Sequence, residues 1–496
     1  MNIKTILSCA AVAATALLTT AEARAEWTDS IQYKAEVGFA LSHGEHSPFW
    51  MTANKQGFST IRRNSAYLRL GAFKHMDESK RFDWGAGIDM GVASAYQSTF
   101  MPQQLYAEIK YRSLDALLGA KELHDPIVDP QLSSGALTNS ENAHPIPQLR
   151  LGIFDYAGFW GCDNWFWVKG YIAYGAYTDN WWIKRWVNPD TRYTLNTLYA
   201  SRAIYFKGGD ESRFPLTGEL GLVVDSEWGG KTWEPDGKGG GVWQKHPTDF
   251  KALIKAMIPS HGGSDNSYGG EKNNVEGNML GNWSFALKWT APQGWSVKAY
   301  YQHFFEDHSM MFFDYPWKDG LYGVQAKLPK NRFVSDFVYE FLYMKDQAGS
   351  VYWDHTPDLD HQISGRDDYY NNYIYNGWQN WGMGIGNPLL LSPVYNSNHR
   401  MLFYNTRIVS HHFGLKGQPS PQVDWRMFAT YTESWGTYSV PLDHTQSLFS
   451  MLAEVKYHPA RLKGWEGTLQ LAFDRGSLLG HNLGFALSIS KTGFFK

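Results

Sequence analysis

From residue 31 onward the chain alternates apolar positions with small or polar ones, in segments of about ten residues, the period of a strand with unlike faces. Ile31, Tyr33, Ala35, Val37, Phe39 and Leu41 share one face; Gln32, Lys34, Glu36, Gly38, Ala40 and Ser42 share the other. Phe82, Trp84, Ala86, Ile88, Met90 and Val92 stand against Asp83, Gly85, Gly87, Asp89 and Gly91. Phe333, Ser335, Phe337, Tyr339, Phe341 and Tyr343 form a third row, opposite Asp336 and Glu340. A sheet in water also alternates, with its apolar side packed inward. Two features favour the inverted arrangement, lipid outside and a polar lumen inside. Aromatic residues gather near the ends of the apolar rows, as in an interfacial girdle, and the opposite rows are Gly, Ala, Ser and isolated charges.

The final segment extends the pattern, with Leu483, Phe485, Leu487 and Ile489 on one face and Gly484, Ala486, Ser488 and Ser490 on the other. Asn482, Gly484, Leu487 and Ile489 resemble the C-terminal signal read by the barrel-assembly machinery, polar-x-Gly-x-x-apolar-x-apolar. The last residue is Lys496, where that pattern has an aromatic. Strands in lipid must pair every backbone group, and only a closed sheet achieves this. The predicted fold is therefore all-β: a membrane-spanning antiparallel barrel of residues 26–496 in one domain. At about 26 residues per strand and turn, that length supplies roughly 18 strands.

The first residues read as a secretory leader. Lys4 supplies the positive end, Ile6 to Leu18 the apolar stretch and Ala23-Arg24-Ala25 an A-x-A cleavage site. Cleavage after Ala25 and an outer-membrane destination are the expectation. A lipoprotein reading of Ile6-Leu7-Ser8-Cys9 is weaker, because the apolar stretch before Cys9 is too short. Beyond the leader no run of 18 apolar residues occurs, so no membrane-spanning helix is expected. Cys162 is the one cysteine of the mature chain, which rules out an internal disulfide. A formal net charge of −3 gives no basic face for nucleic acid.

Two long stretches break the alternation. Residues 228–281 are rich in Gly, Asn and Trp, and contain one helical pattern. There Thr248 is the expected N-cap, Phe250, Leu253, Ile254 and Met257 share a face, and Pro259 is the stop. A short amphipathic helix packed on the barrel is predicted. Residues 347–399 hold the densest aromatic cluster, including Trp353, Tyr369, Tyr370, Tyr373, Tyr375, Trp378 and Trp381. Long loops of such barrels lie outside the cell. Aromatic faces stack on sugar rings, so these seven are the candidate polysaccharide contacts; the competing reading is that they plug the barrel mouth.

Several stretches resemble the Wzi-type capsule-assembly proteins of the outer membrane. They are Ser140-Glu141-Asn142-Ala143-His144-Pro145-Ile146-Pro147, Glu227-Trp228-Gly229-Gly230, Tyr300 to Asp307 with Asp319-Gly320-Leu321-Tyr322-Gly323, Tyr369-Tyr370-Asn371-Asn372-Tyr373, Gly386-Asn387-Pro388-Leu389-Leu390, and His411-His412-Phe413-Gly414-Leu415. The resemblance implies an 18-stranded barrel with a helical plug at the periplasmic end. It also implies a lectin-like, non-enzymatic role in holding capsular or another surface polysaccharide. The alternative is a porin or polysaccharide-export channel. The partners expected are the polysaccharide, outer-membrane lipid and, during biogenesis, the assembly machinery, with the protein a monomer.

Chemistry of other kinds finds little footing. Glu306, Asp307, Asp314 and Asp319 lie close in sequence, but nothing sets the separation that glycoside hydrolysis needs. Adjacent strand residues point to opposite faces, so His411 and His412 do not share a metal. Glu306, Asp307, Asp319 and His411 are read as a polar cluster of the lumen. Asp358, Asp360, Asp367 and Asp368 match no calcium-loop spacing. No catalytic residue, metal or cofactor is assigned.

Overall fold

The computed structural model describes residues 31–158, 165–257, 277–306, 310–313, 318–329, 333–352 and 363–495. The leader, Cys162, Asp307 and Trp353 lie outside them. Among the described residues, 18 strands form one antiparallel sheet. It closes where the first strand, Ile31–His43, pairs with both the second, Ser65–Lys74, and the last, His481–Phe494. Both described ends of the chain and the short turns share one rim. The long connections leave the other, which in such barrels faces the outside of the cell.

Side-chain orientation follows the alternation. Phe82, Trp84, Ile88 and Val92 point outward at 60%, 48%, 43% and 52% exposure, a wall that only lipid can cover. From the same strand, Asp89 points inward and is 2% exposed. The Arg69 guanidinium meets it at 2.5 Å and also reaches Glu122 at 2.7 Å. An isolated charge here would be costly, and the lumen pairs it.

The outward row of the last strand includes Leu483 and Ile489, at 61% and 44% exposure, with Leu487 between them. Its inward residues hold a loop. The Asn482 side-chain oxygen accepts hydrogen bonds from the backbone N–H groups of Glu45 and His46, at 2.8 and 2.9 Å. Gly484 leaves room for Pro48 and Met51, whose atoms would lie 2.6 Å from any Cβ placed there. Asn482 and Gly484 thus have a structural reason to be Asn and Gly in the finished barrel, beside the assembly signal they resemble.

The predicted helix forms as Phe250–Met257, with a different cap and a packed face that keeps Leu253 and Met257 of the predicted row but not Phe250 and Ile254. The Asp249 side chain, not Thr248, accepts from the Ala252 N–H at 2.8 Å. Ala252 and Ala256 are buried, whereas Phe250 and Ile254 are 75% and 42% exposed.

Candidate functional site

The lumen is crossed by three segments that enter from the long-loop rim. The first, residues 44–64, carries the single-turn helix Phe49–Thr52. Trp50 is 1% exposed; its indole N–H donates to Thr430 Oγ1 at 3.0 Å, and its ring packs 5.0 Å from Phe428 and from His412. The Phe49 N–H donates to Asp474 Oδ2 at 2.9 Å.

The second segment, residues 121–147, reaches deepest and is held by inward residues of the wall. Glu340 accepts from Ser133 Oγ at 2.6 Å, the Ser134 N–H at 2.7 Å and Tyr300 OH at 2.5 Å. Thr138 donates to Asn282 and Asn139 to Asp225, both at 2.6 Å. Lys298 donates to the Ile127 carbonyl at 2.5 Å. A His412 ring nitrogen lies 2.8 Å from the Leu132 carbonyl.

The third segment, residues 367–406, lies on the second. Asn142 donates to the Gly384 carbonyl at 2.9 Å and Ser140 to the Gly386 carbonyl at 2.6 Å. Asn387 donates to the Gly135 carbonyl at 2.5 Å, Trp378 Nε1 to the Thr138 carbonyl at 2.7 Å, and Tyr370 OH to the Leu137 carbonyl. The motifs at 140–147 and 386–390, distant in sequence, therefore dock on each other inside the barrel. Of the helical plug that the resemblance implied, the described lumen segments contain the single turn Phe49–Thr52. Apart from that turn, the described lumen segments are mostly irregular, and many of their polar backbone groups are satisfied one at a time by Asn, Ser, Gln and Glu side chains. Below the plug, toward the short-turn rim, a cavity of about 360 Å³ remains, lined by Arg150, Lys169, Asp155 and Asp115 together with Lys121 and His124.

The seven candidate polysaccharide contacts divide by burial. Tyr369, Tyr370 and Trp378 are 0% exposed, and Tyr375 and Trp381 5%. Phe304 packs edge-on against Tyr369 at 4.8 Å, and Phe403 against Tyr370 at 5.4 Å. Trp381 lies between His144 and Trp181. Tyr369, Tyr370 and Trp378 belong to the main core, Trp381 to a smaller cluster with Trp182 and Met401, and Tyr375 is buried beside His246, so no sugar can stack on these five while they stay packed. Tyr373 is 56% exposed at the mouth, and Trp353 lies outside the described residues.

Of the expected lumen cluster of Glu306, Asp307, Asp319 and His411, Glu306 and Asp319 both meet the Tyr369–Tyr370 pair, and His411 does not join them. Asp319 is fully buried and accepts from the N–H groups of Asp346 and Gln347 and from Tyr369 OH at 3.1, 2.6 and 2.9 Å. Glu306 accepts the Tyr370 N–H at 3.4 Å, and Asp307 lies outside the described residues. His411 points the other way, to the outer wall, where it hydrogen bonds Tyr339 OH at 2.9 Å and packs on Phe341. His412 is the inward neighbour. The outward row Val409, His411, Phe413 and Leu415 already carried that information, since its other members are apolar.

Burial pushes the Asp319 carboxyl up to about 7. A carboxyl whose folded value is raised holds its proton better in the packed state, so its contribution is complete below about pH 4 and declines as pH climbs toward 7. Hydrogen-exchange protection of the Gln347 amide, corrected for intrinsic rate, is expected to fall across that window. Asp319→Asn should remove this pH dependence; an unchanged slope would assign it to another group.

An exposed aromatic patch that the sequence reading did not assemble lies beside Tyr373. The short strands Tyr193–Leu195, Lys231–Pro235 and Gly241–Lys245 form a small sheet at the mouth. Trp243, 40% exposed, lies 5.6 Å from Tyr193 and 5.3 Å from Trp233, with the Lys231 ammonium 4.6 Å above its ring. The Arg192 guanidinium stacks 3.8 Å from the Tyr373 ring and donates to its carbonyl at 2.7 Å and its hydroxyl at 2.8 Å. Glu234 pairs with the same guanidinium at 2.7 Å. The missed signal was the alternation of Thr232-Trp233-Glu234 and Val242-Trp243-Gln244 about the turn residues Asp236-Gly237, a hairpin pattern.

No protein-family model matches the chain, nor does any curated protein sequence. Among solved structures the barrel is similar to the Escherichia coli outer membrane protein Wzi, which is involved in group 1 capsule assembly and is a carbohydrate-binding β-barrel. The TM-score is 0.54 at 12% identity, over 94% of this chain and 84% of that one. Pseudomonas aeruginosa OpdL gives 0.47 at 9% identity, over 94% and 99%. Pseudomonas aeruginosa OprD gives 0.44 at 9% identity, over 94% of this chain and 95% of that one.

 At these identities the likeness is one of fold, a closed 18-stranded barrel of the outer-membrane type.

Proposed function

We propose that this protein is a non-conducting outer-membrane barrel that holds a surface polysaccharide at its loop rim. The observation that carries the reading is the combination of a lumen closed by three interlocked segments with an exposed, cation-flanked aromatic patch at the mouth. Trp243 and Tyr373 are 40% and 56% exposed, and Arg192, Lys231 and Glu234 stand beside them with charged hydrogen-bonding groups. Flat apolar rings next to fixed donors and acceptors suit sugars, whose rings have apolar faces and hydroxyl edges. A polymer repeats its contacts, so a weak single site can retain it through many copies of the barrel. The carbohydrate binding of Escherichia coli Wzi, a barrel of similar fold, supports the same reading.

The test uses purified barrel and the surface polysaccharide of its own host. Trp243→Ala with Tyr373→Ala is expected to weaken binding about tenfold, the scale of losing one or two anchoring rings. Heat-modifiable migration should be unchanged, since both rings lie outside the wall. Binding that survives the double change intact would sink the patch. Deleting the gene should move glycan from washed cells to the supernatant with total synthesis unchanged; an unaltered distribution would sink retention itself.

A further inference from the structure

The helix Phe250–Met257 packs on the outside of the barrel. Its buried residues Ala252 and Ala256 meet Ala200 and Trp228. Ala200 shares a strand face with the exposed Ile204 and Phe206, and Trp228 shares one with the exposed Leu216 and Leu220. On that second strand Asp225 points inward to Asn139 of the plug, so its neighbour Ser226 points outward. The Ala256 carbonyl accepts from Ser226 Oγ at 2.8 Å and from Arg202 at 3.2 Å, which ties the C-terminal end of the helix to the wall. Ser226 and Trp228 are 1% and 3% exposed although they face away from the lumen.

The height of the helix follows from the strand beneath it. Leu216–Trp228 has 13 residues. At about 3.3 Å per residue and a tilt of about 40° it rises roughly 30 Å, against an apolar band of about 25 Å. Trp228 therefore stands at the upper edge of the band, where Tyr174 lies 6.0 Å from it and is 43% exposed. Around the helix, at 100° per residue, Phe250 and Ile254 point away from the Ala252–Ala256 face, with Lys251 and Lys255 on the flank between. Phe250 at 75% and Ile254 at 42% exposure would be costly in water, and they continue the lipid-facing surface of the wall below.

We propose that this helix is a membrane-interface anchor, lying on the outer rim with Phe250 and Ile254 in the acyl–headgroup boundary of the outer leaflet. Lys251 then lies at headgroup level, where an anionic phosphate group is its partner. The anchor sets the depth of the connection that also carries Trp233 and Trp243, and so the height of the mouth above the membrane. This inference does not depend on what the mouth binds.

The experiment places single cysteines at Phe250, Ile254 and, as an exposed hairpin reference, Lys238, in a Cys162→Ser background. Each is labelled with a polarity-sensitive fluorophore and reconstituted in vesicles of phosphatidylcholine and phosphatidylglycerol. Emission at 250 and 254 is expected to shift to the blue, with quenching by shallow spin-labelled lipid several-fold stronger than at 238 and quenching by aqueous iodide several-fold weaker. Iodide quenching at 250 equal to that at 238 would overturn the anchor. Protection from both quenchers would overturn it too, because a protein surface would then cover the helix. Heat-modifiable migration of each variant reports that the barrel is folded.

Discussion

Replacing residues 122–146 by a short Gly-Ser turn is expected to give steady single-channel steps in a planar bilayer, where the intact barrel is expected to be silent. The flanking strands Leu114–Ala120 and Gln148–Gly158 pair directly, with Gly119 opposite Gln148, so a turn of about five residues can join them. The segment removed is the one on which the plug is built. Tyr370, Trp378 and Asn387 all donate to carbonyls between Gly135 and Thr138, and Asn380 donates to the His144 carbonyl. Taking it out leaves the third segment without those acceptors. The same segment closes one side of the 360 Å³ cavity, which Leu123, Asn139, Ser140 and His144 help to line. Its removal therefore joins the space at the short-turn rim to the mouth. Barrels of this size leave an aqueous channel when unplugged. A variant that folds, migrates as a heat-modifiable barrel and stays silent would show that the first and third segments seal the lumen by themselves.

The wall was legible in the sequence because lipid and lumen impose opposite demands on alternate residues. The row Phe82 to Val92 has the same faces in the structure as in the pattern, and so does the row Phe337 to Tyr343. The plug was not legible, and the reason is physical. Its segments have no period, and each is held by side chains far away in sequence, as Ser134 is by Glu340. Composition alone also could not separate Tyr369, Tyr370 and Trp378 from Tyr373: all are aromatic residues of one loop, and only tertiary packing buries the first three. Trp243 was passed over for the converse reason, since its loop was read for its helix. The helix itself was found, and Leu253 and Met257 of its predicted face do pack toward the wall, but Phe250 and Ile254 do not. Small residues pack against a wall more closely than large ones, so Ala252 and Ala256 took the contact and left Phe250 and Ile254 to the membrane side.

The second large effect is expected at Glu340. Its carboxylate is 1% exposed and accepts from Ser133, Ser134 and Tyr300, joining the deepest plug segment to two wall strands. Glu340→Ala leaves three buried donors without an acceptor, at about 1–3 kcal/mol each. Part of that is offset because a buried charge and its desolvation cost disappear as well, so the net loss is several kcal/mol and less than the sum. Glu340→Gln keeps the volume, but its NH2 group faces a donor; it should fall between wild type and Ala. The backbone of residue 340 is untouched in its pairing with Gly323 and His412, so the wall should melt as before. The loss is expected inside the barrel, as brief openings in bilayer recordings and faster proteolysis within residues 121–147. Silence and unchanged proteolysis in Glu340→Ala would mean that apolar packing around Leu132, Leu137 and Trp378 holds the plug, and that the carboxylate only satisfies donors already held in place.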